Sequence, residues 1–137
     1  MELNNVNLAA QAAVGFDLDI IHPATGEKLG GIITIRGDES REVQSYNRKR
    51  FQEIQKRERM NKGKNTDYTL AEIEDISIES AIVRCMGWKN IKKDGIELEF
   101  NKENAEMVFR DYPWIRSQVM EGASDLSLFS SWGIWAS

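Results

Sequence analysis

The sequence predicts an α+β fold in which an N-terminal β-hairpin, forming a small antiparallel sheet, packs with three to four α-helices. Three observations predict it: strand-like alternation near the start, helical periodicity in the middle, and two further helix starts near the end. A chain of 137 residues with 41% hydrophobic and 29% charged residues has the length and composition of one globular domain.

The hairpin is predicted from two neighbouring segments. In residues 14–20, apolar residues alternate with glycine and aspartate, which is the period of a half-buried strand. Residues 30–36 are rich in β-branched side chains and predict a second strand. Pro23 and Gly26 lie between the two segments and predict a turn, since both residue types interrupt strands. The result is a hairpin with a slightly long loop.

A charged helix follows the hairpin. Asp38 or Ser40 can cap its N-terminus, and a narrow apolar stripe runs from Val43 to Ile54. The next residues are polar and contain Gly63, so we expect residues 55–68 to be a mobile charged segment.

The second half of the chain predicts a core helix, a turn, a short strand and two more helices. Thr69 and Glu72 match a capping box, and the apolar residues that follow predict a helix to Met86 that ends at Gly87. Asp94-Gly95 is a strong hairpin-turn signal. Residues 96–100 alternate and are a candidate third strand of the sheet. Asn101 and Pro113 mark the starts of the last two helices.

These elements define the predicted organisation. We expect a flexible N-terminal arm over residues 1–13, a single domain over residues 14–130, and a C-terminal tail over residues 131–137. The net charge of −4 favours solubility, and the single cysteine excludes an intrachain disulfide. We find neither a secretory signal nor a membrane-spanning segment, so we expect a cytosolic protein with no membrane partner.

The search for catalytic chemistry predicts none. His22 is the only histidine and Cys85 the only cysteine, which is not the ligand pattern of a zinc site. We expect His22 to be a loop residue and Cys85 a buried, inert thiol within a helix. Asp17 and Asp19 share one strand face and remain a minor candidate for a carboxylate-only enzyme site. The sequence therefore predicts a protein that is not an enzyme and has no catalytic, cofactor-binding or metal-binding residues.

Charge is distributed unevenly along the chain. Ten basic and five acidic residues lie between Arg36 and Lys64, so this segment carries about +5 and the remainder about −9. We single out Arg48, Lys49 and Arg50 as candidate partner-binding residues. The bias fits a solvated helix, a face that pairs with the acidic part of a neighbouring copy, or a nucleic-acid surface. The interspersed acidic residues weaken the last interpretation.

The tail holds the other two candidate partner-binding residues. Trp132 and Trp135 lie beyond the last periodic helix, with Ile134 between them. Large aromatic residues are frequent anchors at interfaces. Packing within the chain and contact with a partner both remain open for these two side chains.

The second half of the chain resembles the tail assembly chaperones of long-tailed bacteriophages. The resemblance covers roughly residues 69–130. It rests on a series of features: a helix ending at Gly87-Trp88, the Asp94-Gly95 turn, the strand over 96–100, the helix start at Asn101 to Asn104, Tyr112-Pro-Trp-Ile115, and an acidic-to-apolar last helix over 121–129.

The resemblance implies a non-enzymatic assembly factor of the host cytoplasm that is absent from the mature virion. Such proteins bind the helical tape measure protein, keep it soluble and help recruit tail tube protein around it. They also tend to self-associate into oligomers. The alternative from the residues alone is a small nucleic-acid-binding or regulatory protein that uses the basic helix over residues 41–59.

Overall fold

The computed structural model describes residues 1–61 and 67–129. A short 3-10 helix comes first, and six α-helices and five β-strands follow within these residues. In chain order the elements are the 3-10 helix Leu3–Val6, α1 (Leu8–Val14), β1 (Phe16–Ile21), β2 (Lys28–Ile35), α2 (Arg41–Asn61), α3 (Leu70–Arg84), β3 (Cys85–Lys89), β4 (Lys92–Lys93), β5 (Ile96–Glu97), α4 (Lys102–Asp111), α5 (Pro113–Ser124) and α6 (Leu126–Phe129).

The strands form two antiparallel sheets. The larger sheet has the order β1-β2-β3, and the smaller sheet consists of β4 and β5. One face of the larger sheet carries the core residues Ile33 and Ile35, which are fully buried together with Phe109 of α4 and Val119 of α5. Helices α3, α4 and α5 pack on one another, and α5 also packs on β1 and β2.

The predicted fold, an N-terminal β-hairpin packed with three to four helices, is wrong in its arrangement. The described residues contain six α-helices and a mixed α+β architecture, and α1 precedes the hairpin. The hairpin is part of a larger sheet, because β3 from the middle of the chain pairs with β2. A physical reason is that a two-stranded hairpin alone is marginally stable in water.

The third strand comes from residues that the sequence assigned to a helix. Helix α3 ends at Arg84, and Cys85 pairs with Ile35 as the first residue of β3. The prediction that this helix continues to Met86 is therefore wrong, as is the placement of Cys85 within it. Short apolar runs look alike in buried helices and buried strands. Here residues 85–89 form a strand because they pair with β2.

The candidate third strand over residues 96–100 is also wrong. Only Ile96–Glu97 is a strand, and it pairs with Lys92–Lys93 rather than with the larger sheet. The predicted turn is confirmed: Asp94 and Gly95 have φ values of 54° and 77°. Positive φ at both central residues is the geometry of a type I′ hairpin turn.

The predicted helix starts agree with the structure. The capping box of Thr69 and Glu72 is present in both directions, and the Asn101 side chain accepts a hydrogen bond from the Asn104 N–H. Helix α5 begins at Pro113. Ser40 caps α2 by accepting a hydrogen bond from the Val43 N–H.

Three segments were predicted to lie outside the packed helices and strands. Residues 1–13, expected as an arm, contain the 3-10 helix and most of α1. Of the charged segment 55–68, helix α2 includes the part up to Asn61, while residues 62–66 lie outside the described residues. The tail over 131–137 also lies outside them.

A buried ion pair joins three parts of the fold. Arg84, at the end of α3, is 6% exposed. Its Nε donates to Oδ1 of Asp38 at 2.7 Å and its Nη1 donates to the Ser80 carbonyl at 2.7 Å. The Asp38 backbone N–H donates to the Ala123 carbonyl at the end of α5. The pair therefore connects the segment before α2 with both α3 and α5.

A side-chain amide closes one end of the larger sheet. At the outer edge of β1, the Ile21 N–H donates to Oε1 of Gln118 at 3.0 Å, and Nε2 of Gln118 donates to the Ile21 carbonyl at 2.8 Å. Gln118 on α5 thus makes the two hydrogen bonds that a neighbouring strand would make at this residue.

Asp38→Asn should lower the free energy of unfolding by about 2–3 kcal/mol, near the lower limit for a broken buried pair, since the Asp38 carboxylate keeps some solvent contact. Urea denaturation measures the change. Asp19→Asn is the matched control, because it removes a carboxylate from the exposed Lys28–Asp19 pair, where the expected loss is below about 1 kcal/mol. Equal losses in both variants would contradict the structural role of the buried pair.

Glu72→Gln should destabilise the protein at neutral pH and have progressively less effect as the pH falls. Hydrogen bonding from Arg57 lowers the pKa of Glu72 from 4.5 to about 2, and the Thr69 backbone contributes. A lowered pKa in the folded state gives stability that is complete above pH 4.5 and is lost as the pH falls through 2. Glutamine still completes the capping box, so the variant removes mainly the charge.

Urea midpoints of the wild type and of Glu72→Gln, measured between pH 6 and pH 2, test this. Glu121→Gln on the surface of α5 serves as the control. If the difference in urea midpoint between Glu72→Gln and the wild type stays constant down to pH 2, the lowered pKa of Glu72 does not contribute to stability as proposed.

Candidate interaction surfaces

Helix α2 contacts α3 through one narrow face. The residues on this face recur at intervals of three and four positions, the helical repeat; they are Val43, Tyr46, Arg50, Ile54 and Arg57, all buried or half-buried. Only Val43 is fully buried. The face is therefore mainly polar, and α2 depends on specific hydrogen bonds as well as on apolar packing.

The polar contacts of this face involve carboxylates of α3. The Tyr46 hydroxyl donates to Glu79 and accepts from Ser80, both at 3.4 Å. Burial raises the pKa of Tyr46.

Arg57 forms the second polar contact between the helices. Its Nη1 donates to Glu72 at 2.6 Å, and the guanidinium lies 4.2 Å from the centre of the Tyr68 ring. This guanidinium contacts the N-terminus of α3, because Glu72 belongs to the capping box there.

The opposite face of α2 carries a basic stripe. At about 100° per residue, five cationic side chains fall within roughly 100° of the helix circumference and no acidic residue falls among them. These residues, which we call the basic stripe, are Arg41, Arg48, Lys49, Lys56 and Arg59. The stripe extends over about 27 Å at 1.5 Å per residue. None of the five forms an ion pair with another described residue.

The predicted partner-binding residues separate into three groups. Arg48 and Lys49 lie exposed on the basic stripe. Arg50 lies on the α3-facing side and pairs with Glu53 at 2.6 Å. Trp132 and Trp135 lie outside the described residues.

The residues considered for catalysis have structural contacts. Nδ1 of His22 accepts hydrogen bonds from the N–H groups of Ala24 and Thr25, so this imidazole organises the hairpin loop. Asp17 accepts from the Thr34 hydroxyl at 2.6 Å, and Asp19 pairs with Lys28 at 3.4 Å. Across residues 1–61 and 67–129, histidine, cysteine and carboxylate side chains form no group of three suited to a metal ion.

Cys85 is buried, as expected, although it lies at the start of β3 rather than within a helix. Its thiol donates to the Ala81 carbonyl at 3.2 Å. Burial raises the pKa of this thiol to about 12. The reactive thiolate is therefore almost absent at neutral pH.

An apolar groove lies between the β4–β5 hairpin and helices α4 and α5. It has a volume of about 230 Å³. Residues from β1, β2, β4, the segments that flank the hairpin and both helices line it; among them are Ile20, Leu29, Ile91, Lys92, Lys93, Leu98, Met107, Tyr112 and Trp114. Sequence reasoning missed this groove, because its residues come from segments up to 95 positions apart, from Ile20 to Ile115. A local sequence signal near the groove is Trp114, a large aromatic residue beside the start of α5.

Hydrogen bonds and ring packing hold the hairpin side of the groove in place. Nε1 of Trp88 donates to the Leu98 carbonyl at 2.9 Å, and the Leu98 N–H donates to the Ile91 carbonyl at 2.8 Å. The Trp88 ring packs edge-on against Phe100, with centroids 5.0 Å apart. The groove is therefore largely preformed.

No described helix is both long enough and apolar enough to cross a membrane. Comparison with curated proteins and with solved structures gives no significant match.

The family model described as YdaY prophage protein matches residues 38–131, which is more than half of the chain. The matched part begins at Asp38, the acidic partner of Arg84, and continues through the last described helix. It contains the basic stripe and most of the groove lining. The chain therefore belongs to the YdaY prophage protein family.

Proposed function

We propose that this prophage protein is a tail assembly chaperone that binds the tape measure protein, keeps it soluble and promotes assembly of the tail tube around it. The preformed apolar groove carries the proposal, because a chaperone needs apolar surface that its client covers. Membership of a prophage family and the resemblance over residues 69–130 support it. The groove lies mostly within both of these regions.

The proposed activity is binding without chemistry. A long helical client exposes apolar stripes until other tail proteins cover them, and several chaperone copies are needed to cover its length. We place this step in the cytoplasm of the host cell and propose that the chaperone leaves before the virion is complete. Contact with the tail tube protein would couple release of the client to tube assembly.

Self-association is part of the proposal. The basic stripe carries five cationic side chains without intervening acids, whereas the chain outside residues 36–64 carries about −9. Opposite charges on different surfaces of one chain favour head-to-tail contacts, which build rings or open helices. We propose that the stripe of one copy contacts an acidic surface of the next.

A nucleic-acid-binding or regulatory role is the second candidate. The acid-free basic stripe favours it, since cationic residues along one helix face are the electrostatic footprint of such proteins. Two observations weigh against it. The net charge of the chain is −4, and Arg50 and Arg57 pair with carboxylates instead of facing solvent.

Co-expression with the tape measure protein of the same prophage should raise the soluble fraction of that protein several-fold, because bound chaperone covers its apolar stripes. Sedimentation of the lysate and quantification of both proteins in the supernatant measure the effect. An unrelated acidic protein of similar size, expressed at the same level, is the control. An unchanged soluble fraction, with the chaperone itself abundant and soluble, would end the proposal.

Arg48→Glu combined with Lys49→Glu should shift the protein toward lower mass, because it reverses two charges in the centre of the basic stripe. Light scattering should show wild-type oligomers that dissociate as salt is raised, since exposed ion pairs are screened. Lys89→Glu combined with Lys102→Glu reverses two exposed charges outside the stripe and should leave the mass unchanged.

A monomeric wild type at every concentration and salt would contradict the self-association part. A shift of labelled duplex DNA at physiological salt, abolished by Arg48→Glu and Lys49→Glu alone, would assign the stripe to nucleic acid instead.

A further inference from the structure

We propose that the groove is the client-binding site and that it takes an amphipathic helix that inserts one or two apolar side chains beside acidic residues. This inference rests on the proposed function and names the surface and the partner chemistry.

The size of the groove indicates an anchor site. A volume of about 230 Å³ is below the range of roughly 300–1,000 Å³ found for small-molecule and cofactor sites. It suits the large apolar side chains that contribute most of the energy at protein interfaces. The aromatic rings of Tyr112 and Trp114 and the thioether of Met107 line it, and methionine adapts readily to varied apolar partners.

The backbone brings the two sides of the groove close together. A Cβ atom at Gly31 would lie 2.7 Å from Cδ1 of Ile91, so the Ile91 side chain occupies the space beside β2 that a larger residue at position 31 would need. Asn90, which has a φ of 61°, donates from its side chain to the Gly30 carbonyl at 2.8 Å. A groove held in this way requires little rearrangement when a partner binds, which reduces the entropic cost of association.

Positive charges at the edge of the groove favour acidic residues in the partner. Lys92 and Lys93 both line the groove and both are exposed. Neither ammonium group forms an ion pair within the described part of the chain. Nζ of Lys93 lies 4.0 Å from the sulfur of Met107, so its positive charge is directly beside the apolar floor. An aspartate or glutamate one turn from an inserted apolar residue would complement it.

A helix fits this site better than an extended strand. Strand addition requires a sheet edge with several free backbone groups, and β4 and β5 have only two residues each. A helix in a groove instead uses side chains at intervals of three and four residues, which matches a compact apolar site with charges at one rim.

A second copy of this chain is the less favourable occupant. Two of its exposed apolar helical residues, Leu70 and Ile73 of α3, are 86% and 49% exposed. The acidic residue beside them, Glu74, already pairs with Arg110 of its own chain at 3.4 Å. It would have to give up that pair to meet Lys93.

Two designed helical peptides test the site directly. Both carry the same leucine stripe, and the residues flanking it are glutamates in one peptide and lysines in the other. Fluorescence anisotropy should show the full-length protein binding the glutamate peptide at least about tenfold more tightly than the lysine peptide, equivalent to about 1.4 kcal/mol. Lys93→Glu should remove or reverse this preference, and Leu29→Asp at the groove edge should weaken both peptides about tenfold.

Matched controls keep folding separate from binding. Lys102→Glu makes the same charge change on α4 outside the groove, and Leu70→Asp makes the same apolar-to-acidic change on α3. Both controls should bind like the wild type, and circular dichroism should show all variants folded. Two results would overturn the assignment of the groove as the client-binding site. One is equal affinity of the wild type for both peptides, and the other is an equal loss of affinity in the test and control variants.

The outcome for the groove is distinguishable from that for the function. If the tape measure protein stays soluble with Lys93→Glu and with Leu29→Asp as it does with the wild type, the chaperone proposal stands and the groove assignment fails. If the peptides bind as expected but the tape measure protein is not rescued, the groove stands and the chaperone proposal fails. If the groove variants lower only the oligomer mass, the occupant is a second copy.

Discussion

The contact between Arg84 and Asp38 is the constraint on which the rest of the fold depends. Arg84 is the last residue of α3, and its own carbonyl accepts a hydrogen bond from the Arg36 N–H. Its side chain holds Asp38 just before α2 begins, and Asp38 in turn contacts the end of α5. A single buried guanidinium thus fixes where α3 changes into β3, where the sheet ends and where the long helix starts. Because a buried charge is costly without a partner, this ion pair favours the geometry in which the three segments meet.

Local chemistry explains what the sequence could predict. The Thr69 capping box, the Asn101 cap, the Pro113 start and the Asp94-Gly95 turn each depend on a few neighbouring residues, and each lies where expected. Such signals act within one turn of chain, so they can be read without knowing the fold.

The errors arose where distant segments decide the structure. Cys85 pairs with Ile35 of β2, fifty positions earlier, and no pattern in the neighbouring residues predicts this pairing. The groove has the same property, since Leu29 and Trp114 become neighbours only after folding. Arg50 shows the limit for charge: it belongs to a basic run in the sequence, yet the helical repeat directs it toward α3.

The Gln118 contact with Ile21 has a consequence for strand addition at one end of the larger sheet. An unpaired strand edge presents free backbone groups that can pair with a strand of another chain. At this end of β1 the backbone is already occupied by an amide from α5, so an incoming strand finds no template there. Any contact made at that residue is therefore limited to side chains, and such contacts separate without breaking the pairing of a sheet.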